Sequence, residues 1–95
     1  MGARKQLEFS ARSIAHIENI KLEIASDNPG AAEKVVRSIF AAADHLEAFP
    51  MLGHIGRRAG TREIFIPHYP YFISYRLTPK KVIILAVIHQ SRQFP

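Results

Sequence analysis

The sequence predicts an α+β domain of order β-α-α-β-β-β, an antiparallel helical hairpin packed on a small, mainly antiparallel sheet. Three observations predict it. Apolar residues recur at helical spacing from Ala11 to Phe49, interrupted only at Asp27-Asn28-Pro29-Gly30. From Thr61 the period changes to that of strands. Val82 to Ile88 is an uninterrupted apolar run, far short of the roughly 20 residues of a membrane helix, which suits a strand covered on both faces.

Each element follows from its residues. Lys5-Gln6-Leu7-Glu8-Phe9 alternates polar and apolar, the pattern of a short strand. Ser10 then suits an N-cap, its hydroxyl accepting from an amide of the next turn. Ile14, Ile17, Ile20 and Ile24, with Ala11, Ala15 and Ala25 beside them, make one apolar stripe on a helix of about four turns. Asn28 is a second N-cap, and Pro29 fits the first helical position, where its missing N–H is not needed. The second stripe is Val35, Ile39, Ala42, Leu46 and Phe49, widened by Val36, Phe40 and Ala43, and Pro50 ends it. Two helices joined by so few residues lie antiparallel. Met51 to Gly60, with Arg57-Arg58, reads as a basic loop.

Three strand candidates follow: Arg62 to Ile66, Pro70 to Leu77, and Lys81 to His89. Thr78-Pro79-Lys80-Lys81 suits a turn with Pro79 at its second position. Pairing Thr78 with Lys81 puts Tyr71, Ile73, Tyr75 and Leu77 on one face with Ile88, Ala86, Ile84 and Val82. The opposite face then carries Phe72, Ser74 and Arg76 with Val87, Leu85 and Ile83, and His89 at its end beside Pro70. The first face is the expected seat of the helices. The second is the expected working surface. The last strand, apolar on both sides, belongs inside the sheet.

Ninety-five residues suit one domain, 1–95, and 47% hydrophobic composition supports a packed core. With no cysteine there is no disulfide framework, thiol nucleophile or thiolate zinc site, and a cytoplasmic setting is expected. Residues 1–9 have Arg4 and Lys5 but no apolar stretch behind them, so no secretory signal is read there. The formal net charge of +5 is unevenly placed. Residues 1–50 hold six bases and seven acids; residues 51–95 hold seven bases and a single acid, Glu63. The second half is therefore built for an anionic partner, nucleic acid or acidic protein, or its bases serve solubility alone.

No phosphate loop, metal-ligand pair or nucleophile triad stands out, and no cofactor is expected. His16 and His45 read as solvated helix surface, His54 and His68 as ordinary loop positions. His89, ending a buried strand ahead of Arg92, could serve acid–base chemistry on a phosphodiester, or could simply terminate the sheet through a backbone hydrogen bond. Arg62 could hold a phosphate bidentately or pair with a helix carboxylate such as Glu47. The connection Pro67 to Pro70 leaves its face open, because a slip of one residue reverses a strand. Alternation places Tyr71 and Tyr75 in the core, where they cannot stack on bases.

Five segments together resemble the RelE/ParE superfamily of toxins from type II toxin–antitoxin systems. They are Asn28-Pro29-x-Ala31-Ala32, Leu46-x-x-Phe49-Pro50-x-x-Gly53, Gly60-Thr61-Arg62-Glu63-Ile64, Pro70-Tyr71-x-Ile73-x-Tyr75-Arg76 and Val87-Ile88-His89-x-x-Arg92. The Gly-Thr-Arg-Glu and His-x-x-Arg patterns are more like the ParE branch, whose members poison DNA gyrase without cleaving nucleic acid. RelE-like members instead cut mRNA on the ribosome and carry an arginine where this chain has Phe72; that alternative would make His89 and Arg92 catalytic. The resemblance implies a gyrase-directed toxin rather than a ribonuclease, with Arg57, Arg58, Arg62, Arg76, His89 and Arg92 as target-binding candidates. It also implies a ParD-like antitoxin whose acidic region folds on binding. Ile17, Lys21, Val36 and Phe40 on the helical hairpin are the antitoxin-binding candidates, and a sheet edge could accept an added strand. No membrane partner and no metal are implied.

Overall fold

The structure, a computed structural model, describes residues 4–91. β1 (Gln6–Phe9) runs through Ser10 into α1 (Ala11–Ala25). Ser10 is the N-cap: its side chain accepts from the Ser13 amide at 3.1 Å. The Ser10 hydroxyl also donates to the Leu85 carbonyl at 3.0 Å, and the Ser10 amide donates to the Ile84 carbonyl at 2.9 Å. The first turn of α1 is thereby tied to the last strand, which fixes the helix's rotation. Ser13, Ile17 and Ile20 face inward. Ile14, expected on this stripe, is exposed instead; Ser13 takes the inward position, its hydroxyl donating to the Ser10 carbonyl at 2.8 Å.

α2 (Pro29–Ala48) is capped by Asn28, whose side chain accepts from the Ala31 amide at 3.1 Å, with Pro29 in the first turn. It buries Ala32, Val35, Ile39, Ala42, Ala43 and Leu46. Ile39 and Leu46 are wholly enclosed, a burial that contributes roughly 1.5–3 kcal/mol per side chain. Phe49, expected to finish this stripe, is the C-cap and lies exposed because the backbone has already left helical geometry.

The remaining strands are β2 (His54–Ile55), β3 (Arg62–Phe65), β4 (Tyr71–Leu77) and β5 (Lys81–His89). They form one five-stranded sheet of order β1-β5-β4-β3-β2, with β1 parallel to β5 and the other pairs antiparallel. β5 is flanked on both sides, as its two apolar faces require. β2 was not expected: two residues of the basic loop pair with Glu63 and Arg62 and make the second sheet edge.

The β4–β5 hairpin starts in the expected register, with Leu77↔Val82, Arg76↔Ile83 and Tyr75↔Ile84. The next pair is Ser74↔Ala86, so Leu85 is an extra residue and β5 bulges there. Beyond the bulge Ile73 pairs with Val87 and Tyr71 with His89. Val87 and His89 therefore join the helix-facing side, and Ala86 and Ile88 the other, the reverse of the expected assignment. The core lies between the helices and Tyr71, Ile73, Tyr75, Val82, Ile84 and Val87. No helix among the described residues is long and apolar enough to cross a membrane.

Candidate functional site

The sheet face away from the helices is organised around Glu63, the lone acid of the basic half. β3 places it opposite Ser74, and its side chain is almost wholly buried. A buried carboxylate needs hydrogen bonds and positive charge. The Arg57 amide donates to Oε2 at 3.0 Å; the Arg57 guanidinium Nε and His54 Nε2 each stand 3.6 Å from Oε1. Arg57 continues over the Phe72 ring, 5.1 Å from its centroid, and Phe65 meets that ring edge-on at 6.0 Å. His54 stacks on Phe65 at 5.5 Å. Gly60 takes φ 77, a left-handed turn residue that lets the Thr61 amide reach back to the Arg58 carbonyl. Ser74 and Phe72, expected on an open working surface, are thus buried, while Arg76 remains exposed there.

The other side of β3 carries Arg62, which pairs with Tyr75 on the helix-facing side. Its guanidinium donates to the Gly53 carbonyl. The Tyr75 hydroxyl accepts from the Gly53 amide at 2.8 Å and donates to the Pro50 carbonyl at 2.8 Å. A Cβ on Gly53 would stand 2.7 Å from the Glu63 carbonyl and 2.7 Å from that hydroxyl, so only glycine fits. Burial pushes the Tyr75 phenol above its usual pKa, against smaller opposing effects of the Gly53 hydrogen bond and the Arg62 charge. Arg62 therefore braces the segment Pro50–Gly53 and does not stand open for a phosphate.

His89 lies at the far end of β5, its ring edge-on to Tyr71 at 5.3 Å. Its Nδ1 accepts from the Ser91 amide at 3.1 Å and lies 2.8 Å from the Ser91 hydroxyl. It lines a cleft of about 120 Å³ between β5 and α1, together with His16, Asn19 and Glu23. His16, expected as solvated surface, is half-buried: its Nδ1 accepts from the Val87 amide at 3.2 Å, in the stretch of β5 that β1 no longer covers. His45 is exposed as expected. Among the described residues no group of three or more His, Cys, Asp or Glu side chains could hold a metal ion.

The candidates for target contact thus divide. Arg57 and Arg58 are exposed on the β2–β3 connection, Arg76 is exposed on the same side of the sheet, Arg62 is turned inward, and His89 faces α1. Arg92 lies outside the described residues. Along β4 the partners of His89 and Arg62 are four residues apart, about 13 Å of strand. Of the four hairpin candidates, Ile17 is buried beneath the helices and Lys21 is exposed. Val36 is half-buried, and Phe40, 38% exposed, packs on Phe9 at 5.3 Å. Tyr75, Gly53 and Glu63 stand in the family-like segments, but sequence reasoning gave none of them a role in the site. Glu63's isolation among seven bases was the available signal.

Comparison with known proteins agrees with this geometry. Residues 7–94 match the family described as "ParE toxin of type II toxin-antitoxin system, parDE". The Sinorhizobium fredii protein named "Putative toxin Y4kP" is 37% identical over 93 residues, covering 98% of this chain and 96% of that one. A solved structure titled "Chromosomal ParDE TA system from P. aeruginosa" has the same fold, with a TM-score of 0.83 at 20% identity over 93% of this chain and 98% of the other. The family match over residues 7–94 and the 37% identical relative together show that the chain belongs to the ParE toxin family of type II toxin–antitoxin systems.

Proposed function

We propose that this toxin inhibits DNA gyrase in the cytoplasm and blocks replication, and that a cognate ParD-like antitoxin neutralises it. The observation that supports the reading, beside the family match over residues 7–94, is the separation of His89 from Arg62 and Arg76 among the described residues, which leave out Arg92. Phosphodiester cleavage by acid–base catalysis needs a proton-transfer group and cationic donors within hydrogen-bond reach of one reacting centre. Here His89 faces α1, Arg76 lies on the opposite face, and the Arg62 guanidinium is held by the Gly53 carbonyl. Phe72, where the ribosome-dependent branch carries arginine, is fully buried. Such an arrangement favours binding over cleavage.

The antitoxin part of the reading rests on charge and on one partly exposed apolar contact. A half of the chain with seven bases and one acid attracts an acidic segment. Phe40 and Phe9 offer such a segment an anchor beside the β1 edge, with Val36 one turn before Phe40 and Ile17 in the core beneath, and Lys21 on α1 is an exposed base for it.

Expression in a sensitive bacterium tests the proposal. The toxin alone should arrest growth and relax plasmid supercoiling while mRNA on ribosomes stays intact, and co-expression of the small acidic partner from the neighbouring open reading frame should restore growth. Cleavage of ribosome-bound mRNA, abolished by His89→Ala, would instead establish the RelE-like endonuclease reading.

A further inference from the structure

At the β2 edge the chain presents Phe49, Met51, Leu52 and Ile55, each between 56% and 79% exposed. Large apolar side chains gathered on one segment and bordered by charge mark an interaction surface. This segment is held firmly. The Leu52 amide donates to the Phe49 carbonyl at 3.1 Å, the Tyr75 hydroxyl spans Pro50 and Gly53, and Arg62 donates to the Gly53 carbonyl. A backbone fixed in this way loses little further freedom when its side chains dock, which favours binding.

The sign of the border selects the occupant. Beyond Ile55 the exposed charges are Arg57 and Arg58; Arg62 is turned inward, and the carboxylate that Arg57 meets, Glu63, is itself buried. A second copy docking edge to edge would set Arg57 and Arg58 against their own counterparts. A nucleic acid would meet apolar side chains where phosphate-binding surfaces carry donors. An acidic protein surface with an apolar centre matches both the anchors and the border. We infer that Phe49–Ile55, flanked by Arg57 and Arg58, is the surface by which the toxin grips its protein target, and that the target presents an acidic face with an apolar centre. The inference rests on the proposed reading of the chain as a toxin directed at a protein. It assigns the target to the β2 edge and leaves the Phe9–Phe40 surface to the antitoxin.

The test uses the full chain as wild type, as Met51→Glu/Leu52→Glu, as Ile55→Glu, and as Leu22→Glu, an equally drastic change at an exposed position on α1. The probes are purified gyrase holoenzyme, the purified antitoxin, and growth on expression, each at matched soluble protein and matched urea stability. Both edge variants should bind and inhibit gyrase about 10- to 100-fold less well, the loss typical of disrupting a central interface anchor. They should bind antitoxin unchanged and no longer arrest growth, while Leu22→Glu behaves as wild type. Wild-type potency in the edge variants overturns the inference. So does loss of antitoxin binding with gyrase inhibition retained, or a wild-type dimer that the variants break. A wild type that arrests growth without inhibiting gyrase refutes the gyrase reading alone; relief of that arrest by the edge variants then still supports the surface, and persistence of it does not. A wild type without effect on growth or gyrase overturns the inference together with the reading beneath it.

Discussion

Replacing Tyr75 by Phe removes a single oxygen, which accepts from the Gly53 amide and donates to the Pro50 carbonyl, both at 2.8 Å. Gly53 is buried, so its amide finds no water in exchange, whereas the Pro50 carbonyl is only half-buried. A buried donor left without a partner costs about 1–3 kcal/mol, and the Pro50 bond adds less than 1; the expected loss is about 2 kcal/mol. For a domain of this size that lowers Tm by roughly 8–16 °C. Urea unfolding followed by circular dichroism reads the loss directly as a fall in midpoint at unchanged slope. Gly53→Ala offers an internal check. Its Cβ meets the Glu63 carbonyl and the Tyr75 ring as well as the hydroxyl, so it should cost about 2–3 kcal/mol. Combined with Tyr75→Phe the two losses should sum to less than their separate values, because one of the clashing atoms has gone. A Tyr75→Phe protein as stable as wild type, or strict additivity of the pair, would show that the hydroxyl does not brace this segment.

Other changes act on neighbouring parts of the same scaffold. Tyr75 keeps its proton to higher pH in the folded chain than in the unfolded chain, so its contribution is complete below pH 10.0, the ordinary phenol value, and is lost as pH rises beyond it. Stability measured above that pH should fall less steeply in Tyr75→Phe than in wild type. Glu63→Gln keeps an acceptor for the Arg57 amide and loses only the attraction to half-exposed Arg57 and His54, so it should cost about 1 kcal/mol by urea unfolding. Glu63→Ala strands the amide and should cost about 3 kcal/mol, with faster hydrogen exchange at Arg57. Ser10→Ala removes the cap of α1 and the bond to the Leu85 carbonyl, and should cost about 1–2 kcal/mol, read as a drop in Tm.

The elements whose signals are local were legible in the sequence. Ser10 and Asn28 cap the helices by the chemistry their side chains carry, Pro29 and Pro50 bound α2, and Thr78–Lys81 turns the last hairpin. What was not legible depends on parity or on long-range contact. Val82 to Ile88 is apolar at every position, so nothing in the pattern shows that Leu85 is supernumerary, and one unseen bulge carries His89 from one face to the other. β2 has two residues and no alternation to read. The face of Arg62 depends on the β3–β4 connection, where His68 adopts a left-handed φ of 70. The site suffers most from these gaps, since a list of basic residues says nothing of which are held inward. Arg62, expected from the sequence among the target contacts, is part of the brace that holds Pro50–Gly53.

Supercoiling of relaxed plasmid by purified gyrase, with the purified toxin titrated in, tests the central claim most directly. Supercoiling should fail in proportion to added toxin and recover when the antitoxin is added in equal amount. Undiminished supercoiling in the presence of excess, correctly folded toxin would contradict the account.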